Sequence, residues 1–290
     1  MQRNADEEID SPEATRRFFC GAMAGALSAI IPSRAARAQP PIAPPAIIRT
    51  GMLVMSINPT SPPLQFVNSQ GQLQGLRVEL GNEVARRLGL MPEYVRIEFA
   101  AMIPGLAGRR WDMINTGIFW TEDRARLMYM IPFERAGIAF LAARGNPLNI
   151  ARVQDLAGRR VAVELGGIEE RRTREISQEL VTEGLRPIDI RTFSNSGEIF
   201  QVLRVGQVDA ATGIDATAMF MQQRGDFSRV ISGLLPQVAT FAVARRDLAE
   251  AVVGALNEAR RDGFYDALFE RYGVLTIEET TFSIRGSGPG

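Results

Sequence analysis

Arg160-Val161-Ala162-Val163-Glu164-Leu165-Gly166-Gly167, followed by a charged segment from Ile168 to Glu183, is the stretch that decides the fold class. A short β-type run ends in a glycine pair, and the chain then takes on helical periodicity. That is a strand feeding a helix through a tight turn. The unit recurs downstream, with a strand at Ile188–Phe193, a helix at Ser196–Arg204, a strand at Val208–Ile214 and a helix at Ala216–Gln223. Upstream, Met52–Ile57 reads as a strand, and Val78, Leu80, Val84 and Leu88 mark one face of a helix stopped by Gly89. Strands are expected at Val95–Phe99 and Met113–Thr116, and Thr121-Glu122-Asp123 is an N-cap followed by acids, the start of another helix. Ile138–Ala143 and Ala239–Ala244 are apolar enough for buried strands, and a last clear helix with Leu248, Val252, Val253 and Leu256 stops at Gly263. Strands and helices that alternate in this way predict an α/β fold.

The composition excludes whole classes of chemistry. The 290 residues carry 33 basic and 33 acidic side chains, with no histidine, and every basic residue is arginine. Serine–histidine catalysis, lysine Schiff bases and P-loop phosphate binding lack their side chains. With Cys20 as the single cysteine, the usual nitrogen and sulfur ligands of zinc are missing, so neither a metal nor a cofactor is expected. Balanced charge gives no global field for nucleic acid or an anionic membrane.

The N-terminus reads as a targeting segment. Thr15-Arg16-Arg17-Phe18-Phe19 resembles a twin-arginine export motif, the Gly/Ala-rich stretch Phe18–Ile31 follows, and Ala36-Arg37-Ala38 offers a small-x-small cleavage site. The stretch is shorter than the roughly 20 residues that cross a bilayer; the alternative is an amphipathic anchor. Residues 1–38 are therefore expected to be a signal peptide. Residues 39–47, rich in proline, are expected to be an extended linker, and Gly286–Gly290 a disordered end.

Four stretches resemble one family, the bacterial extracellular amino-acid-binding proteins of ABC importers (solute-binding protein family 3). They are Gly71-Gln72-Leu73-Gln74-Gly75-Leu76, Ile103-Pro104-Gly105-Leu106 through Trp111-Asp112, Gly117-Ile118-Phe119-Trp120-Thr121-Glu122-Asp123-Arg124, and Leu203-Arg204-Val205-Gly206-Gln207-Val208-Asp209-Ala210 followed by Asp215. The resemblance implies a two-lobed type II periplasmic-binding-protein fold with a two-crossing hinge. Lobe 1 would be residues 48–137 plus 241–275, lobe 2 residues 138–240, and residues 276–290 a C-terminal tail. It implies a monomer in the periplasm that binds a small amino acid and hands it to an ABC-transporter permease in the inner membrane, with no nucleic-acid partner and no enzymatic activity. Two alternatives share the fold: a periplasmic enzyme such as a cyclohexadienyl dehydratase, and a free-standing sensor lobe. The enzyme would need an acid, for which Glu98, Glu164 and Glu169 are candidates.

The resemblance also assigns site residues. Arg124 matches the carboxylate-binding arginine, whose fork grips both oxygens, or it is an exposed arginine in a first helical turn. Asp215 matches the ammonium-binding carboxylate of lobe 2, or it is a plain N-cap. Asp209 is expected to order a strand end instead. Gly117 and the Phe119 backbone would contact ligand, while Thr121 suits an N-cap better. Gly166 and Gly167 open a helix whose free N–H groups attract anions, unless the pair is an ordinary turn. Leu64, Phe99 and Phe119 would line an apolar pocket for a neutral or hydrophobic side chain, though all three equally suit a core. Arg77 stands where the family commonly has an acid, and the sequence alone gives it no role.

Overall fold

In the computed structural model, residues 42–289 are described; the expected signal peptide and the first residues of the linker lie outside them. Met52–Ile57 (β1) is apolar at nearly every position and buried along its length, as a strand covered on both faces must be. It pairs in parallel with Met91–Arg96 (β5) on one side and Met113–Phe119 (β6) on the other. Leu53 and Met55 pack on one face, against Leu76–Arg87 (α1), Arg246–Arg261 (α7) and Phe264–Tyr272 (α8); Val54 and Ile114 pack on the other, against Met102–Ala107 (α2). Gly105 of α2 has to be glycine, because a Cβ there would lie 2.0 Å from the Trp111 ring.

Two long antiparallel strands, Tyr129–Ala143 (β7) and Phe227–Val243 (β11), run out of this sheet and into a second one. Their near ends join β6 through β11. Their far ends join Ala210–Ile214 (β10), Arg160–Glu164 (β8) and Asp189–Phe193 (β9), giving the order β5-β1-β6-β11-β7-β10-β8-β9. Lobe 2 repeats the layered plan: Ile168–Thr182 (α4) covers one face of its sheet and Ser196–Arg204 (α5) with Asp215–Gln223 (α6) the other. The fold is α/β with two lobes, and the β7/β11 ribbon is the two-stranded crossing between them. A small sheet of Thr60–Ser61 (β2), Gln65–Val67 (β3) and Leu73–Gln74 (β4) lies beside lobe 1.

The two lobes use one device to fix a strand start. The Asp112 N–H donates to the Val54 carbonyl while its carboxylate accepts from the N–H groups of Ile48 and Val54, at 2.8 and 2.9 Å. Asp209 likewise accepts from the Arg160 N–H at 2.9 Å and pairs with the Arg160 guanidinium, the strand-end role expected of it.

Several expectations are corrected here. The strand expected at Val95–Phe99 lies earlier, because the parallel ladder aligns Met52 with Met91 and Ile57 with Arg96, which leaves Phe99 to open a 3-10 turn. Ile138–Ala143 and Ala239–Ala244 are parts of the much longer crossing strands. Gly263, at φ 82°, ends α7 but also starts α8, which periodicity did not reveal. The linker ends inside lobe 1, where Ile47 is fully buried. The C-terminal segment docks on lobe 1. Phe282 packs edge-on against Tyr265, the Arg285 N–H donates to Met130 and the Gly288 N–H to Ala125.

Candidate functional site

The cleft between the lobes is walled by Asn58, Ser61, Gln65, Phe99, Thr116, Gly117 and Phe119 from lobe 1, and by Glu164, Ile168, Glu169, Ser196 and Ile214 from lobe 2, with Arg77 beneath. The lobes lie close. Asn58 Nδ2 donates to Glu164 Oε1 at 2.8 Å, and the Ser61 and Ser196 hydroxyls are 3.1 Å apart. Only about 30 Å³ remains between the walls, room for a water or two, so an amino acid enters only when the lobes part.

Arg124 makes the third bridge. Thr121 caps Glu122–Leu127 (α3) by accepting from the Arg124 N–H, which aims the arginine side chain back along the cleft mouth. Its guanidinium donates to the Phe119 carbonyl in its own lobe and to the Gly166 carbonyl in lobe 2, each at 3.0 Å, and lies 5.5 Å from the Phe99 ring. Burial pulls its pKa down to about 10, so it stays cationic at neutral pH. Its partners are carbonyl dipoles, not carboxylates, and a ligand carboxylate would be a stronger acceptor than either.

The anionic side of the cleft was not read correctly from the sequence. Asp215 does not face Arg124. It is the first residue of α6, its Oδ2 accepts from the Gly233 N–H at 2.9 Å, and Arg229 lies 3.6 Å from its Oδ1. It lines a separate cavity of about 510 Å³ beside the crossing strands. There Gly137 lets it approach, since a Cβ at Gly137 would sit 2.5 Å from Asp215 Oδ2. The neighbouring residue, Ile214, is the one that reaches the cleft. Two carboxylates the resemblance did not assign stand there instead. Glu164 ends β8 and Glu169 lies in the first turn of α4. Burial pushes the Glu164 carboxyl well above its ordinary range, and the charges of Glu169 and Glu98 push the same way. Burial also raises Glu169, against its own backbone N–H and the opposing fields of Arg124 and Arg77.

The glycine turn is not free for an anion in this closed arrangement. The Gly166 N–H donates to Glu170 Oε2 and the Gly167 N–H to the Glu164 carbonyl. Gly166 enters the site through its carbonyl. Phe99 and Phe119 are wall residues, whereas Leu64 is fully buried in the lobe-1 core and does not reach the cleft.

Arg77 also acquires a role. Buried at the start of α1, it makes a two-pronged ion pair with Glu134 of β7 at 2.8 and 2.9 Å, and donates to Gln65 and to the Thr116 carbonyl. Gln65 in turn donates to Thr116 Oγ1 at 3.1 Å. Gly117, at φ 72°, lies directly on the guanidinium, where a Cβ would be 2.1 Å from Arg77 Cζ. This network is the floor of the cleft. Its members are far apart in sequence, so only the unusual arginine itself could have signalled it.

Residues 53–274 match the family model of bacterial extracellular solute-binding proteins, family 3. The chain belongs to that family. Among its relatives is the L-cystine-binding protein TcyJ of Escherichia coli (strain K12), 27% identical over 227 residues that span 77% of this chain and 82% of TcyJ. Among solved structures, an ancestral arginine-binding protein bound to arginine superposes with a TM-score of 0.68 at 29% identity, over 77% of this chain and 98% of that one. The ancestral amino acid-binding protein AncCDT-1, a precursor of cyclohexadienyl dehydratase, gives the same TM-score at 26% identity, over 77% and 95% of the two chains. No described helix is long and apolar enough to cross a membrane, and the described residues contain no acidic or thiol cluster that could hold a metal.

Proposed function

We propose that this chain is the periplasmic solute-binding component of an ABC importer, which captures a small amino acid between its lobes and delivers it to a permease in the inner membrane. The observation that carries the reading is the pairing, across one closable cleft, of a lobe-1 guanidinium held only by carbonyls with lobe-2 carboxylates. A free amino acid presents the complementary pair of charges, and neither can be buried unmatched. Its carboxylate takes the fork of Arg124, and its ammonium faces Glu164 and Glu169, in the role the sequence reading gave to Asp215. Each lobe then holds one end of the ligand, so binding favours closure. Phe99 and Phe119 offer the side chain an apolar wall. The neutral or hydrophobic ligand expected with them drew on Leu64 as well, which lies in the core.

The cystine- and arginine-binding proteins to which the chain is similar support this reading. Export through the twin-arginine pair and action as a monomer belong to the same proposal. A thermal-shift screen against the common amino acids tests it: a ligand at 100 times its Kd adds about 2.7 kcal/mol of stability. Failure of every amino acid to raise the melting temperature at millimolar concentration would overturn it. The likeness to AncCDT-1, together with protonatable Glu164 and Glu169 in the cleft, defines the rival reading of a dehydratase. On the binder reading, incubation with prephenate or arogenate yields no aromatic product.

A further inference from the structure

We infer that the ligand is a cationic amino acid of the lysine, ornithine or arginine kind, with its two positive groups shared between Glu164 and Glu169. The inference rests on the amino-acid reading and adds the charge of the side chain.

Counting the charges buried at the cleft leads to it. Arg77 and Glu134 cancel within one ion pair. Arg124 is matched by the ligand's carboxylate. That leaves Glu164 and Glu169, both facing the cleft from lobe 2, so the α-ammonium of a neutral amino acid satisfies only one of them. A second carboxylate closed into the same space without a partner would carry a large desolvation cost. A side-chain cation removes that cost, and the net charge of the ligand then equals the deficit of the site.

Glu169 supplies the independent sign that the space is built for a ligand. The residue is only 8% exposed, it lines the cleft, and its carboxylate forms no ion pair among the described residues, with its own backbone N–H as the nearest group favouring its charge. Glu164 has one partner, a neutral amide of the opposite lobe, and that bond is broken whenever the lobes part. No arginine of lobe 2 lines the cleft; the two that act on Glu169, Arg124 and Arg77, belong to lobe 1. Phe99 and Phe119 suit the methylene stem of a long cationic side chain, as arginine and lysine stems lie on apolar surface elsewhere.

The pH dependence follows. In the free protein burial raises both carboxyls, so they hold protons to higher pH than ordinary glutamates. The groups facing them are Glu98, Asn58, Arg77 and Arg124, with Arg171 acting on Arg124. A cationic ligand needs both carboxylates ionised. Binding it therefore releases protons and tightens as pH rises toward neutrality, whereas a neutral amino acid would need one carboxyl to keep its proton and would weaken.

The test is titration calorimetry of the full-length exported protein with L-lysine, L-ornithine, L-arginine, L-leucine, L-phenylalanine and L-aspartate, in two buffers of different ionisation enthalpy. The expected result is tightest binding of a cationic amino acid, with proton release. Glu169→Gln and Glu164→Gln should each weaken it by about 30-fold or more and narrow its advantage over leucine. Both replacements keep the shape of the side chain, and the wild-type proton release serves as the readout should either variant fail to fold. Tight binding of leucine or phenylalanine over the cationic ligands, or proton uptake on binding, would overturn this inference and leave the amino-acid reading intact. Binding of none of the six would overturn this inference, and failure of the full amino-acid screen as well would overturn both.

Discussion

Replacing Arg77 with methionine should destabilise the protein more than any other single change in the cleft. Arg77 is 1% exposed and Glu134 is not exposed at all. Solvent therefore screens their two-pronged contact very little, and it is not a surface ion pair of small value. Removal of one member of a buried pair leaves the other charge without a partner, at a cost of about 3–5 kcal/mol. For a chain of this size each kcal/mol lowers Tm by about 2–4 °C, so the loss should be about 6–20 °C. The double variant Arg77→Met/Glu134→Leu removes both charges. What remains unpaired is Gln65 Oε1 and the Thr116 carbonyl, worth about 1–3 kcal/mol, so the double variant should be more stable than Arg77→Met alone. Calorimetric or urea unfolding of the four proteins in the cycle measures this directly. If Arg77→Met lies within about 1 kcal/mol of wild type, or if the two single losses simply add in the double variant, the account of the cleft floor is wrong.

Truncation of Arg124 to alanine should reduce amino-acid affinity by about 2–5 kcal/mol, because the ligand carboxylate is left buried and unpaired; small-angle scattering should then show no ligand-induced compaction. Asp215→Asn, by contrast, should change affinity by no more than about threefold in calorimetry, since that carboxylate faces another cavity. Because Glu164 and Glu169 have raised folded-state pKa values, the folded protein holds protons that the unfolded chain releases near the ordinary value of 4.5. Their contribution therefore favours the fold at low pH and declines as pH rises above that value. The ligand-free Glu164→Gln/Glu169→Gln variant should show a flatter fall of Tm over that window. Replacement of both Arg16 and Arg17 with lysine should leave the protein in the cytoplasmic fraction, and periplasmic recovery at the wild-type level would point to an ordinary secretory signal.

What the sequence by itself determined is the set of features governed by local rules. The strand at Met52–Ile57, the helix at Ser196–Arg204, the cap at Thr121 and the strand-end duty of Asp209 all follow from periodicity, capping or a motif within a few residues. The alternation of these elements was enough for the α/β class, and four motifs in order were enough for the two-lobed family. Tertiary structure decided which way the side chains face. Ile214 and Asp215 are adjacent, yet the turn from β10 into α6 sends one into the cleft and the other to the crossing strands. Arg77 meets Glu134 across 57 positions of sequence, and Asn58 meets Glu164 across 106. No local pattern encodes such encounters, because they depend on how two sheets are joined through β7 and β11. The ligand charges this cleft can accept are set by those encounters, and so became legible only once the lobes were folded against each other.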